Sequence, residues 1–245
     1  MAEKILCVKN VNAFYNTESK SIFRRPEKKQ VLFDISFDVY EGEILGIVGE
    51  SGCGKSTLSK VILGMNPMYE GEITHFSQKP QMIFQDPYSS LNPAWTVGRI
   101  LEEPLRLSGI KDKKLREKTV NDMLDKVGLD ASYAKRRTDE LSGGQRQRIS
   151  IATALIAKPK LVIADEPLSA LDVTIQAQIM ELMLNLQKEL NLTYIFISHD
   201  IDVVYQMCDR ILVMNSGRVV ELGETKKLFE APQSEYTKKL INENA

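Results

Sequence analysis

Across 245 residues the chain holds only three cysteines and two histidines, and its formal net charge is −1. Cys7, Cys53 and Cys208 are odd in number and lack the close spacing of a zinc or iron–sulfur site, so they read as reduced thiols of a cytosolic protein, not as a disulfide framework. The balanced charge excludes a global attraction to nucleic acid, leaving only local basic patches. No apolar run reaches the roughly eighteen residues that a spanning helix needs, and Met1–Cys7 lacks the apolar core of a signal peptide. Internal repeats and low-complexity tracts are absent as well. What the chain does have is 43% hydrophobic residues, enough for a substantial globular core.

Short, continuous apolar runs at Ile44–Val48, Leu161–Ala164 and Tyr194–Ile197 read as parallel strands covered on both faces. Helical spacing follows at Ser56–Met65 and again at Ile175–Leu190, so the core is expected to be α/β. Between Val97 and Lys158 strand-like runs disappear, and Leu115–Val127 and Gln145–Ala157 read as helices of an inserted helical subdomain. Ile5–Phe14 and Val31–Val39 predict an antiparallel flank, and Asn215-Ser216-Gly217 predicts a hairpin between Ile211–Met214 and Arg218–Val220. Asn16–Gln30, with Lys20, Arg24, Arg25, Lys28 and Lys29, reads as an exposed basic loop.

The chemistry starts at Gly49-Glu50-Ser51-Gly52-Cys53-Gly54-Lys55-Ser56-Thr57, which fits Gly-x-x-x-x-Gly-Lys-Ser/Thr between a predicted strand and a predicted helix. Its glycines let the backbone curl so that N–H groups face phosphate oxygens, Lys55 neutralises the outer phosphates, and the Ser56 hydroxyl can hold magnesium. Thr57 adds a donor, and Cys53 reads as a small spacer that an alkylating reagent could still reach. Asp165 and Glu166 emerge at the C-terminal end of a strand, where open α/β sheets place ligands. Asp165 suits a magnesium ligand, and Glu166 suits the base that polarises the attacking water. His199 follows another strand, where a histidine is either structural or able to orient water or Glu166; His75 has no such setting. Gln85, after Met82-Ile83-Phe84, is either a polar strand end or an amide oxygen for magnesium or water. Tyr15 and Phe14 compete as the ring that stacks on adenine.

Leu141-Ser142-Gly143-Gly144-Gln145 enters a predicted helix, and two readings stand side by side. It is an ordinary N-cap, or it offers a hydroxyl and backbone N–H groups to a phosphate at the helix's positive end. No Asn-Lys-x-Asp guanine reader occurs, which argues against a P-loop GTPase.

Gly49–Thr57, Gln85, Leu141–Gln145, Asp165-Glu166, Ser169-Ala170-Leu171-Asp172 and His199 together resemble, along essentially the whole chain, the nucleotide-binding subunits of ABC transporters. By that resemblance these are Walker A, Q-loop, signature, Walker B with its catalytic glutamate, D-loop and H-loop, with Tyr15 at the adenine-stacking position. The resemblance implies one nucleotide-binding domain over 1–245: a RecA-like core at about 1–96 and 159–225, a helical subdomain at about 97–158 and a short tail at about 226–245. It also implies a second ATPase subunit, identical or paralogous, with each ATP lying between one chain's Walker A and the other's signature. The remaining implied parts are a pair of transmembrane permease subunits, an extracellular or periplasmic solute-binding protein, and a place on the cytoplasmic face of the membrane.

Phe84–Pro93, Leu171–Gln178 and the basic Asn16–Gln30 insertion are similar to the oligopeptide, dipeptide and nickel importer group, in particular to its second ATPase subunit. Peptides are the implied cargo, with nickel, another metal or a metal chelate as the alternative. The chain departs from that group in a short Gly71–Gln85 stretch and in Ser234-Glu235-Tyr236-Thr237, where the group usually has His-Pro-Tyr-Thr, with little extension after it. A soluble ABC ATPase of translation or repair normally joins two cassettes or carries a long coiled coil, and neither pattern is present. A non-hydrolysing partner is disfavoured by Glu166, His199 and the complete signature. Asp86–Glu103 is where the resemblance docks the permeases, with Glu102 and Glu103 as charges to reverse.

Overall fold

The computed structural model describes residues 3–16, 27–78, 80–86 and 91–242. In chain order these form β1 (Lys4–Asn16), β2 (Lys28–Tyr40), β3 (Ile44–Val48), α1 (Lys55–Ile62), β4 (Tyr69–His75) and β5 (Gln81–Ile83). Then come α2 (Val97–Leu107), α3 (Lys113–Lys126), α4 (Gly143–Leu155), β6 (Leu161–Asp165), α5 (Val173–Leu190) and β7 (Thr193–Ile197). The chain continues through α6 (Ile201–Met207), β8 (Arg210–Asn215), β9 (Arg218–Glu224), α7 (Thr225–Glu230) and α8 (Glu235–Asn242). Packing divides it into two compact units, Met1–Lys79 with Ile195–Ala245, and Pro80–Tyr194.

In the first unit β1 pairs antiparallel with β2, which is the expected flank, and also with β4, a strand the sequence reading does not name. β3 pairs parallel with β8, and β8 antiparallel with β9 across the expected Asn215–Gly217 turn. Ser216 and Gly217 have φ of 47° and 77°, the left-handed conformation that two-residue hairpins require. β3 and β7 are buried at every position, which explains their unbroken apolar runs. Lys28–Gln30 belong to β2 and not to a loop, Lys28 opposite Asn16 and Lys29 opposite Tyr15. The rest of the expected basic loop, 17–26 with Lys20, Arg24 and Arg25, lies outside the described residues. The helix expected to reach Met65 stops at Ile62, because Gly64 turns left-handed at φ 73° and the N–H groups of Met65 and Asn66 both return to the Lys60 carbonyl.

In the second unit β5 runs parallel to β6 with Ile83 opposite Ala164. α2 was not expected from the sequence, because Gly98 and Pro104 break its pattern. Thr96 caps α2 by accepting Arg99 N–H at 3.4 Å, and Val97, Ile100, Leu101 and Leu105 are buried. Gly98 is there for space, since a Cβ would lie 2.9 Å from the Ala134 carbonyl oxygen. Asp172 caps α5 by accepting Ile175 N–H at 3.0 Å.

Candidate functional site

In the first unit, β3 runs directly into Gly49–Thr57. Gly49 passes so close to β8 that a Cβ would sit 2.1 Å from the Met214 carbonyl oxygen. Gly52 and Gly54 have φ of 80° and 112°, and Gly54 is the left-handed residue that starts α1. The curled loop is tied by Cys53 N–H to Glu50 O (3.2 Å), by Gly217 N–H to Cys53 O (2.8 Å) and by Tyr236 Oη, which accepts Glu50 N–H (3.1 Å). Lys55 is buried and folds back onto the loop, donating to the carbonyls of Gly49 (2.6 Å) and Glu50 (3.1 Å). Ser56, the second residue of α1, is exposed, and Thr57 is half-buried. Cys53 is buried, and that burial raises its thiol pKa against the opposing pull of Lys55, which fits a spacer better than an alkylation target.

His199 is exposed and follows β7, which neighbours β3 through Ser198 N–H to Ile47 O at 3.4 Å, so the P-loop and His199 leave the same sheet end. Asp200 then caps α6 by accepting the N–H groups of Asp202 and Val203. Tyr15 is exposed near the end of β1. Its rival Phe14 is half-buried, with its backbone N–H on Met68 O. His75 lies against the Ile62 carbonyl at 3.1 Å, a structural contact.

The second unit brings Gln85 and Glu166 together. Parallel register sets Ile83 beside Ala164, so two residues further on Gln85 reaches Glu166, with Nε2 3.1 Å from Oε2. Ser169 joins them, 3.5 Å from Gln85 Nε2 and donating to the Glu166 carbonyl at 3.1 Å. Glu166 has φ 47°, a left-handed conformation that costs a non-glycine residue on the order of 1 kcal/mol and that collects at functional sites. Asp165, the last residue of β6, is buried.

Leu141–Gln145 forms a complete capping box at the start of α4. Ser142 Oγ accepts Gln145 N–H at 3.3 Å, and Gln145 Oε1 accepts Ser142 N–H at 3.0 Å. The N–H groups of Gly143 and Gly144 head the helix, where no intrahelical acceptor exists. The cap is therefore present, and Ser142 is at the same time exposed. Gly144 packs against the start of α5, where a Cβ would lie 2.8 Å from Ile175 Cγ2. Two tyrosines were not assigned a role from the sequence. One is Tyr133, whose Oη accepts Gln145 Nε2 at 3.0 Å while Arg136 stacks on its ring at 3.9 Å. The other is Tyr236 of α8, bonded to Glu50 of the Gly49–Thr57 loop, whose only signal was the altered four-residue stretch around it.

The profile of the ABC transporter family matches residues 32–169. The chain is 45% identical to the oligopeptide transport ATP-binding protein OppF of Bacillus subtilis (strain 168), over 99% of this chain and 83% of that one. It is 42% identical to the dipeptide transport ATP-binding protein DppF of Haemophilus influenzae, over 93% of this chain and 74% of that one. A solved structure of an ATP-binding cassette, dimeric and bound to ADP and Pi in a post-hydrolysis state, superposes with a TM-score of 0.76 at 28% identity, covering 90% of this chain and 98% of that one.

Proposed function

The chain belongs to the ABC transporter family, and from that premise we propose that it is the ATP-hydrolysing subunit of a peptide importer. The observation that carries hydrolysis is the Glu166 carboxylate, held at the end of β6 by Gln85. In the reaction, water attacks the γ-phosphate of ATP, and ADP and inorganic phosphate leave. Glu166 takes the proton from water, Gln85 and Ser169 fix the carboxylate, and His199 orients the γ-phosphate end. Lys55 exchanges its loop carbonyls for the outer phosphates, and Tyr15 stacks on adenine. Ser142, Gly143 and Gly144 face the ATP held by the partner ATPase, with Gln145 and Tyr133 keeping that helix start in shape.

Magnesium would be held by the Ser56 hydroxyl, the Asp165 carboxylate and the Gln85 amide oxygen, the Gln85 nitrogen being turned to Glu166. Hard oxygen donors with a single carboxylate suit magnesium, which draws its other ligands from phosphates and water. When bound, the ion neutralises charge on the β- and γ-phosphates.

No helix among the described residues is long and apolar enough to cross a membrane, so import is assigned to separate permease subunits, fed by a solute-binding protein outside the cytoplasm. The helical subdomain at about 97–158 is the part that would meet the permeases. α2 lines a cavity of about 400 Å³ with Trp95, Ile100, Glu103, Pro104, Leu107 and Thr153 among its walls. Leu107 is 81% exposed there. Glu102 serves a different purpose, because it pairs with Arg106 (2.9 Å) and Arg116 (3.4 Å). Partial burial opposes its charge, but those two guanidinium groups win and hold its carboxyl below the usual range. Pro87, Tyr88, Ser89 and Ser90 of the expected docking segment lie outside the described residues.

Leu107→Glu sets a carboxylate on that exposed apolar wall, which a docked permease would bury, so the amount of permease that co-purifies with the chain falls about tenfold or more while the chain alone still binds ATP. Undiminished recovery of the permeases removes the cavity from the docking surface. For the cargo, vesicles holding the assembled complex take up a labelled tetrapeptide only with ATP inside the face that carries this chain. Uptake of a metal chelate with no peptide uptake overturns the peptide reading.

A further inference from the structure

Beyond the motifs, one side chain from the C-terminal helix reaches the nucleotide loop. We propose that Tyr236 is a positioning residue that holds the entry turn of the P-loop in its ATP-binding shape, a reading that rests on Gly49–Thr57 being the ATP site. Glu221 on β9 anchors the segment before α8: its carboxylate accepts Gln233 N–H at 3.0 Å and Ser234 N–H at 3.1 Å. Ser234 in turn caps α8, its Oγ accepting Tyr236 N–H at 3.2 Å and its carbonyl accepting Lys238 N–H at 3.0 Å. Thr237 is wholly buried, so the helix start is pinned on both sides of Tyr236. From there the Tyr236 hydroxyl accepts Glu50 N–H at 3.1 Å, across 186 positions of sequence. Burial leads in raising the phenol's pKa, against the opposing pull of the Glu50 N–H bond.

The bond matters because of what Lys55 must do. Within the loop, Glu50 O accepts from Cys53 N–H and from Lys55 Nζ, and Gly49 O accepts from Lys55 Nζ. When Lys55 turns to phosphate, those two carbonyls lose their ammonium. Tyr236 takes the Glu50 N–H, the other end of the peptide whose carbonyl, Gly49 O, Lys55 holds, so its bond does not depend on where the ammonium points. It remains as a tie through the exchange, so the loop does not have to be ordered again at the expense of ATP affinity.

Tyr236→Phe keeps the ring and deletes the acceptor. Measured on the full chain in its assembled complex, KM for Mg-ATP rises about three- to tenfold, the range expected for one net hydrogen bond, while kcat stays within about twofold. Glu221→Leu releases the anchor and raises KM similarly. The double variant is no worse than the single ones, because both cut the same tie. Unchanged KM in Tyr236→Phe, a loss confined to kcat, or strictly additive effects in the double variant overturns the proposal. Melting temperature is followed in parallel: an unaltered KM with a lowered melting temperature assigns Tyr236 to stability alone and overturns it too. If the parent complex neither binds nor hydrolyses ATP, the ATP-site reading fails with it, whereas a normal parent with an indifferent Tyr236→Phe sinks only this inference.

Discussion

Glutamine in place of Glu166 slows steady-state ATP hydrolysis by on the order of 10²-fold or more and leaves ATP binding in place. The substitution isolates basicity. A glutamine carbonyl oxygen still accepts the Gln85 Nε2 hydrogen bond seen at 3.1 Å, and the side chain has nearly the same volume, so the left-handed turn at φ 47° is retained. What vanishes is the ability to take a proton from water. Phosphate release gives the rate, and a fluorescent ATP analogue gives the affinity. With each ATP lying between two subunits, as proposed, the variant also accumulates as an ATP-bound pair on size exclusion. A rate equal to the parent's means that another group is the base.

The second large effect comes from Ser142. An N-cap serine is worth about 1 kcal/mol, too little to unfold a domain of this size, so uncapping and loss of a phosphate contact have to be separated by the choice of substitution. Ser142→Asp does this, since aspartate caps as well as serine and also suits the positive end of α4. It nevertheless sets a negative charge where we propose the partner's ATP to lie. Ser142→Arg adds bulk at the same exposed place. Both variants bind ATP at their own P-loop, and with every signature in the complex altered, both lose hydrolysis by on the order of 10²-fold, as removal of a transition-state donor does. An aspartate variant that hydrolyses normally reduces the motif to the capping box that Ser142 and Gln145 already form.

The P-loop was legible in the sequence because its glycine spacing is imposed by the backbone itself: Gly49, Gly52 and Gly54 stand where a side chain meets β8 or where φ is positive. Glu166 and Gln85 were legible as single residues but not as a pair, since their meeting depends on which strands are parallel neighbours and in what register. α2 was hidden by Gly98 and Pro104, one present for close packing and the other tolerated inside the helix. Met65 extended a helical pattern beyond its end, and its 58% exposure shows why apolarity alone misplaced that boundary. The Tyr236 contact left no periodic trace, being a single hydrogen bond between α8 and a loop 186 positions earlier in the chain.

All three thiols of the chain are buried, Cys53 within the P-loop, Cys7 in β1 and Cys208 after α6. A thiol reagent therefore reacts only in the moments when local structure parts, and its rate counts those moments. The chain carries three native timers in one unit, and the one within the P-loop is expected to run slower when nucleotide occupies the site proposed for that loop.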